Sequence, residues 1–202
     1  MNTITSDTAI EQASHVSTRP PYDRLTIVLH WTTLALVLVQ LASAWLIDHG
    51  GSREAGALAL SVHRSSGAVL WLVVAFRLIW RFTGMKLPPF PPGMGRLHIT
   101  GVHLSEYGLY LLLLVQPLTG LADTLLRGRP FALFIWTVPA LLVRDKPAAA
   151  VAHLAHMAGA WALIALVTVH ALAALTHKFL LDDGVLESMI GGARRSRKPG
   201  RI

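Results

Sequence analysis

The stretch from Pro147 to His177, PAAAVAHLAHMAGAWALIALVTVHALAALTH, contains no Asp, Glu, Lys or Arg. As a helix it is long enough to cross the roughly 30 Å hydrocarbon core of a bilayer with some tilt. A helix that merely spans lipid avoids ionisable side chains, because each is costly there. This one holds His153, His156, His170 and His177. His156 and His170 are fourteen residues apart. At about 100° per residue that offset returns to within about 40° of its starting direction, and at about 1.5 Å per residue it spans about 21 Å. One helix therefore presents two imidazoles on one face, one toward each side of the membrane. Histidine pairs on facing helices hold a haem iron from both sides inside a bundle. The remaining spans are expected to supply two partners.

Composition agrees with a membrane protein. Mean hydropathy is +0.51 and 53% of residues are hydrophobic. A chain of 202 residues has room for about four spans with short connections, hence one domain. The net charge of +7 is not a nucleic-acid signature, since no motif or basic-aromatic stripe accompanies it. Most basic residues instead flank apolar runs, where loop bias and lipid headgroups account for them. With no cysteine there is no disulfide, iron–sulfur cluster or covalently attached haem, so any haem is held non-covalently. No internal repeat stands out.

Residues 1–21 are polar, lack the apolar core of a signal peptide and read as a flexible cytoplasmic leader, in which His15 is assigned no role. Residues 22–190 form the spanning domain, and 191–202 a basic tail suited to anionic lipid. The first span, Leu25–Ile47, carries His30 about a turn and a half from its start. The second, Ala57–Trp80, carries His63 at a similar depth, with Arg64, Arg77 and Arg81 snorkelling at its ends. Gly67, one turn after His63, either lets a flat macrocycle approach or serves ordinary helix packing. Arg77 shares the His63 face, where a haem propionate and a lipid headgroup are both suitable partners. Lys86–Arg96 is a Pro-Gly loop.

The third span centres on Tyr107–Ala122, with His98 and His103 at or outside its start and Pro117 and Gly120 bending or thinning it. His103 is an alternative ligand. Phe131–Val143, too short and Pro-interrupted to cross, is expected to lie as a lid on the outer surface. Twelve of the 18 Lys and Arg fall in the termini and the middle loop, which places both termini in the cytoplasm. The expected fold is therefore all-α, an integral membrane four-helix bundle.

With that topology the histidine depths match. His30 pairs with His170 at an inner iron, and His63 with His156 at an outer one, about 20 Å apart by helix rise. His153 lies about 100° off the face shared by His156 and His170. Two separated pairs with no third ligand favour haem iron over zinc.

Leu29-His30-Trp31, His63-x-x-x-Gly67, Pro117-x-x-Gly120, Arg127-Gly128-x-Pro130 and His156-x13-His170 occur in that order. Together they make the chain resemble the bacterial cytochrome b561 family, which includes superoxide oxidases, from about Tyr22 to Ile190. The resemblance implies a four-helix bundle in the bacterial inner membrane with two haem b groups on His30, His63, His156 and His170, exchanging electrons with ubiquinone. It also implies a quinone-associated histidine seven residues after the last ligand, the position of His177. An interfacial histidine beside Lys178 is the competing reading. Those relatives carry a second histidine where Lys178 stands.

Two functions of different class follow. The first is a superoxide:ubiquinone oxidoreductase, its periplasmic anion drawn in by Arg53, Arg64, Arg127, Arg129, Arg144 and Lys146. The same charges suit an acidic redox partner. The second is a membrane-anchor cytochrome b subunit serving a dehydrogenase or hydrogenase, which would need that partner to act. A haem-free transporter with histidines in a proton path is a third reading.

Overall fold

The computed structural model describes residues 20–91 and 93–191. Most of the leader, with His15 and Arg19, and nearly all of the basic tail lie outside the described residues. Helix α1 runs Arg24–His49, α2 Arg53–Thr83, α3 Arg96–Leu126 and α4 Lys146–Thr176. All four are long and apolar enough to cross a membrane. Their starts are written locally. Asp23 caps α1 by accepting from Thr26 N at 2.9 Å and Thr26 Oγ1 at 2.7 Å. Burial works against the Asp23 carboxylate, but the bonds from Thr26 and Trp80 outweigh it and hold its pKa below the ordinary value. Ser52 caps α2, and Asp145 caps α4 ahead of Pro147, which suits a first turn.

Helix α3 is a full span. It begins at Arg96, so His98 and His103 are helical, and it continues unbroken through Pro117. The all-α expectation needs one amendment. Strands β1 (Phe131–Leu133) and β2 (Trp136–Val138) pair antiparallel as a small hairpin. It is anchored rather than laid flat: Phe131 is buried beneath Arg64, and Phe134 N donates to Ser65 Oγ at 2.7 Å. At Gly128, φ is +59° and a Cβ would sit 2.6 Å from Arg144 N, so only glycine lets the returning chain pass.

At the opposite end α4 passes into a π-helical turn, His177–Leu181, stopped by Asp182 in left-handed conformation. Helix α5, Val185–Ile190, then folds back over the start of α1. Trp31 Nε1 donates to Met189 O at 2.9 Å, and Tyr22 N to Ser188 O at 3.0 Å. We call this the termini end, and the other the hairpin end.

Helices α1 and α2 pack closely as one antiparallel pair, α3 and α4 as another, with a smaller contact between α2 and α3. Val37, Leu70, Val74, Tyr110, Leu113 and Leu163 form the buried core. Leu163 sits midway between His156 and His170 in sequence, so this apolar core separates two polar levels. Outward-facing residues such as Leu58, Leu72, Ile79, Leu111, Val151 and Trp161 stay exposed, as lipid contact requires.

Candidate haem-binding histidine pairs

The structure brings the four span histidines together in two pairs. At the hairpin end His63 of α2 faces His156 of α4, with ring centres 6.1 Å apart and planes at 90°. At the termini end His30 of α1 faces His170 of α4, with ring centres 6.3 Å apart and planes at 49°. A metal–imidazole bond is about 2 Å long, and a ring centre lies about 1 Å behind its nitrogen. Two imidazoles sharing one metal ion from opposite sides therefore place their centres about 6 Å apart. Both pairs fit. Both also link the α1–α2 pair to α4.

The hydrogen bonds behind the rings differ between the ends. His63 Nδ1 lies 3.2 Å from Gln40 O and 3.1 Å from Ser43 Oγ. His156 Nδ1 lies 3.1 Å from Gln116 O and 3.1 Å from Thr119 Oγ1. A backbone carbonyl only accepts, so each Nδ1 carries the proton and each Nε2 keeps its lone pair for a metal. At the termini end, Arg77 Nη2 donates to His30 Nδ1 at 3.1 Å. Neutral His30 accepting there carries its proton on Nε2. Metal binding at that nitrogen displaces either that proton or the Arg77 contact.

Arg77 is thus an inward residue, half-buried with its guanidinium 5.6 Å above the Tyr110 ring, not a lipid contact. Arg81 is also inward: it is buried, paired to Glu106 of α3 and placed over Tyr107. Snorkelling does not describe either one, because partners on neighbouring helices were within reach. Arg64 is half-buried over Phe131, and its Nε is a buried donor without a partner among the described residues. A carboxylate-bearing group beside His63, such as a haem propionate, would satisfy it. His103 joins neither pair; its ring stacks near Tyr107 and meets the edge of Phe90. His153 also joins neither pair; its Nδ1 lies 3.1 Å from Asp123 Oδ2 and its side chain is exposed.

Glycine serves close approach at one point beside the rings. A Cβ on Gly120 would come 2.9 Å from His156 Cε1. Gly67 lies against the Gln40 side chain, where a Cβ would make ordinary contact at 3.5 Å.

The termini end holds a third histidine pair. His177, 5% exposed, sets Nδ1 2.5 Å from Asp183 Oδ2 and Nε2 3.1 Å from His98 Nε2. The carboxylate accepts, so His177 Nδ1 donates. His98 is exposed, which extends the chain of contacts from a buried imidazole to the surface. Lys178, the next residue, pairs with Glu187 of α5. At the hairpin end Leu126, Arg127, Arg144, Lys146 and His153 line a shallow pocket of about 310 Å³.

The family model described as prokaryotic cytochrome b561 matches residues 21–192. The chain belongs to the prokaryotic cytochrome b561 family. It is 29% identical over 183 residues to cytochrome b561 homolog 2 of Escherichia coli (strain K12), covering 88% of this chain and 95% of that one. It is 25% identical over 169 residues to the probable superoxide oxidase CybB of Yersinia pestis, covering 84% and 95%. As a cytochrome b561 protein with four apolar helices, it is a multi-pass membrane protein of electron transfer, in a family that binds haem b.

For this cytochrome b561 chain, the histidine pairs were legible from spacing. Gln40, Ser43, Gln116, Thr119, His98 and Asp183 were not. The hint available was a shared pattern, Gln followed three residues later by a hydroxyl, in the first and third spans.

Proposed function

We propose that this protein is a di-haem b-type cytochrome of the bacterial inner membrane that carries electrons from superoxide in the periplasm to ubiquinone. The observation that carries the reading is α4 presenting His156 and His170 to His63 and His30 at single-metal spacing. His63 and His156 would hold one haem, His30 and His170 the other. Held by two histidines, such a group would supply one-electron transfer. The domain is residues 22–190, both termini are cytoplasmic, and the hairpin end faces the periplasm.

The reaction balances as two superoxide anions each losing one electron to become dioxygen, while one ubiquinone gains two electrons and two protons to become ubiquinol. Arg127, Arg144 and Lys146 around the hairpin-end pocket supply the positive field that concentrates a small anion. The apolar core around Leu70, Val74 and Leu163 keeps water and charge from between the two levels. At the termini end His177 would bond a quinone carbonyl. Asp183 orients the ring, and exposed His98 completes a path for protons.

The test is a dithionite-reduced minus oxidised spectrum with haem quantified per chain, followed by superoxide-driven ubiquinone reduction. Two low-spin b haems and unaided activity are expected. Absence of haem overturns the ligand assignment. Two haems with no unaided reaction overturn superoxide as donor and point to a partner dehydrogenase or hydrogenase.

A further inference from the structure

The two imidazoles of the hairpin-end pair are held by the same device built twice. Gln40 Nε2 donates to His63 O at 2.9 Å, while Gln40 O receives His63 Nδ1 at 3.2 Å. Gln116 Nε2 donates to His156 O at 2.6 Å, while Gln116 O receives His156 Nδ1 at 3.1 Å. Each glutamine thus binds its histidine at both backbone and ring, and does so across a helix pair, α1 to α2 and α3 to α4. Three residues on, one hydroxyl adds a second acceptor to each ring. Ser43 Oγ donates to Val39 O at 2.7 Å, and Thr119 Oγ1 to Gln116 O at 2.8 Å. Their protons are committed to their own helices, so a lone pair of each is turned toward an Nδ1–H. Gly159 makes room for the second clamp: a Cβ there would sit 2.2 Å from Gln116 Oε1.

The termini-end pair has no such device. His30 Nδ1 meets the Arg77 guanidinium, a donor of opposite role, and the His170 ring makes no hydrogen bond among the described residues.

We infer that Ser43 and Thr119, with Gln40 and Gln116, are positioning residues that hold His63 and His156 as Nδ1–H imidazoles and lower the reduction potential of the iron they share. This rests on the reading of His63 and His156 as haem ligands. Two acceptors on Nδ1–H enrich the ring in electrons and make it a more basic ligand. A more basic ligand stabilises the higher iron charge, so the oxidised form gains and the potential falls. A lowered potential at the hairpin end favours onward transfer to the other haem, the direction that superoxide-to-quinone flow requires. The hydroxyls are the testable part, since the carbonyls belong to the backbone.

The experiment is an optical redox titration of the intact, haem-loaded protein in detergent, with electron paramagnetic resonance of the oxidised form. In Ser43→Ala and in Thr119→Val, one of the two midpoint potentials should rise and the other stay, with a larger rise in the double variant. The resonance lines of one haem alone should move. Thr119→Ser should retain the native potential, because it keeps the oxygen and drops only a methyl group. Unchanged potentials in a double variant that retains both haems would overturn the inference. If the double variant does not assemble, Thr119→Val against Thr119→Ser decides: equal potentials overturn it, and a higher one in Thr119→Val supports it. Failure of the underlying reading looks different, because His63→Ala would then leave two haems per chain.

Discussion

Arg81 and Glu106 meet as an ion pair between α2 and α3, with the arginine side chain only 3% exposed and its guanidinium 5.3 Å above the Tyr107 ring. A cation this deep is tolerated because carboxylate and aromatic face replace its water. Glu106→Ala strands that charge and should cost about 3–5 kcal/mol. Replacing both partners with Met should cost far less than the single change, because no charge is left unpaired. Thermal unfolding of the two variants in detergent checks this, and equal losses would refute it.

His170→Ala should remove the termini-end haem and leave the other, halving the haem per chain. His30→Ala should give the same spectrum, since the two rings face each other at 6.3 Å. The measurement is a pyridine haemochrome assay for haem per chain, with dithionite-reduced minus oxidised spectra of the intact purified variants to identify the surviving haem. If the two spectra differ in which haem survives, the pairing is wrong.

Gly120→Ala pushes a methyl group to 2.9 Å from His156 Cε1, closer than the ring accepts without turning. The hairpin-end haem should be lost or become high-spin while the termini-end haem stays. A variant with two unperturbed low-spin haems would show that the ring can yield.

His177→Ala should leave both haems and their reduction by dithionite intact. Oxidation of the reduced protein by a soluble quinone should slow on the order of 10²-fold, the usual loss when a positioned acid–base group is removed. Asp183→Asn should fall between the two, because it keeps the hydrogen bond at Nδ1 and loses the charge. Stopped-flow absorbance resolves the step, and a native rate in His177→Ala would remove this residue from quinone chemistry.

Asp23 links the start of α1 to pH. Its folded pKa is lowered, so its charged cap adds stability above the ordinary value of 3.8 and loses it as pH falls through the depressed one. Asp23→Ala should cost about 1 kcal/mol near neutrality. The gap between wild type and variant should be flat above about pH 5 and close below it. A gap that widens on acidification would contradict the sign.

Some of this was legible because it is local or periodic. Span lengths follow from hydropathy, and the shared face of His156 and His170 follows from the helix period, which no packing can change. The matched depths of His30 and His63 followed once the spans alternated direction. Other expectations failed for a common cause. Arg81, and Arg77 in one of its two readings, looked like interfacial cations because charge beside an apolar run usually reaches for headgroups; the residues they meet, Glu106 and His30, lie on other helices. The hairpin at Phe131–Val138 was hidden because its anchor, Ser65, is far away in the chain.

By itself, the sequence determined a four-span helical membrane protein with imidazoles at two depths, since bilayer thickness and helix rise act on each segment independently. Tertiary structure alone decided which groups stand behind those imidazoles. Gln40 reaches His63, Gln116 reaches His156 and His98 reaches His177 across long stretches of chain. Such contacts depend on how helices rotate against one another. That rotation is set jointly by every packed side chain, and no single stretch of sequence encodes it.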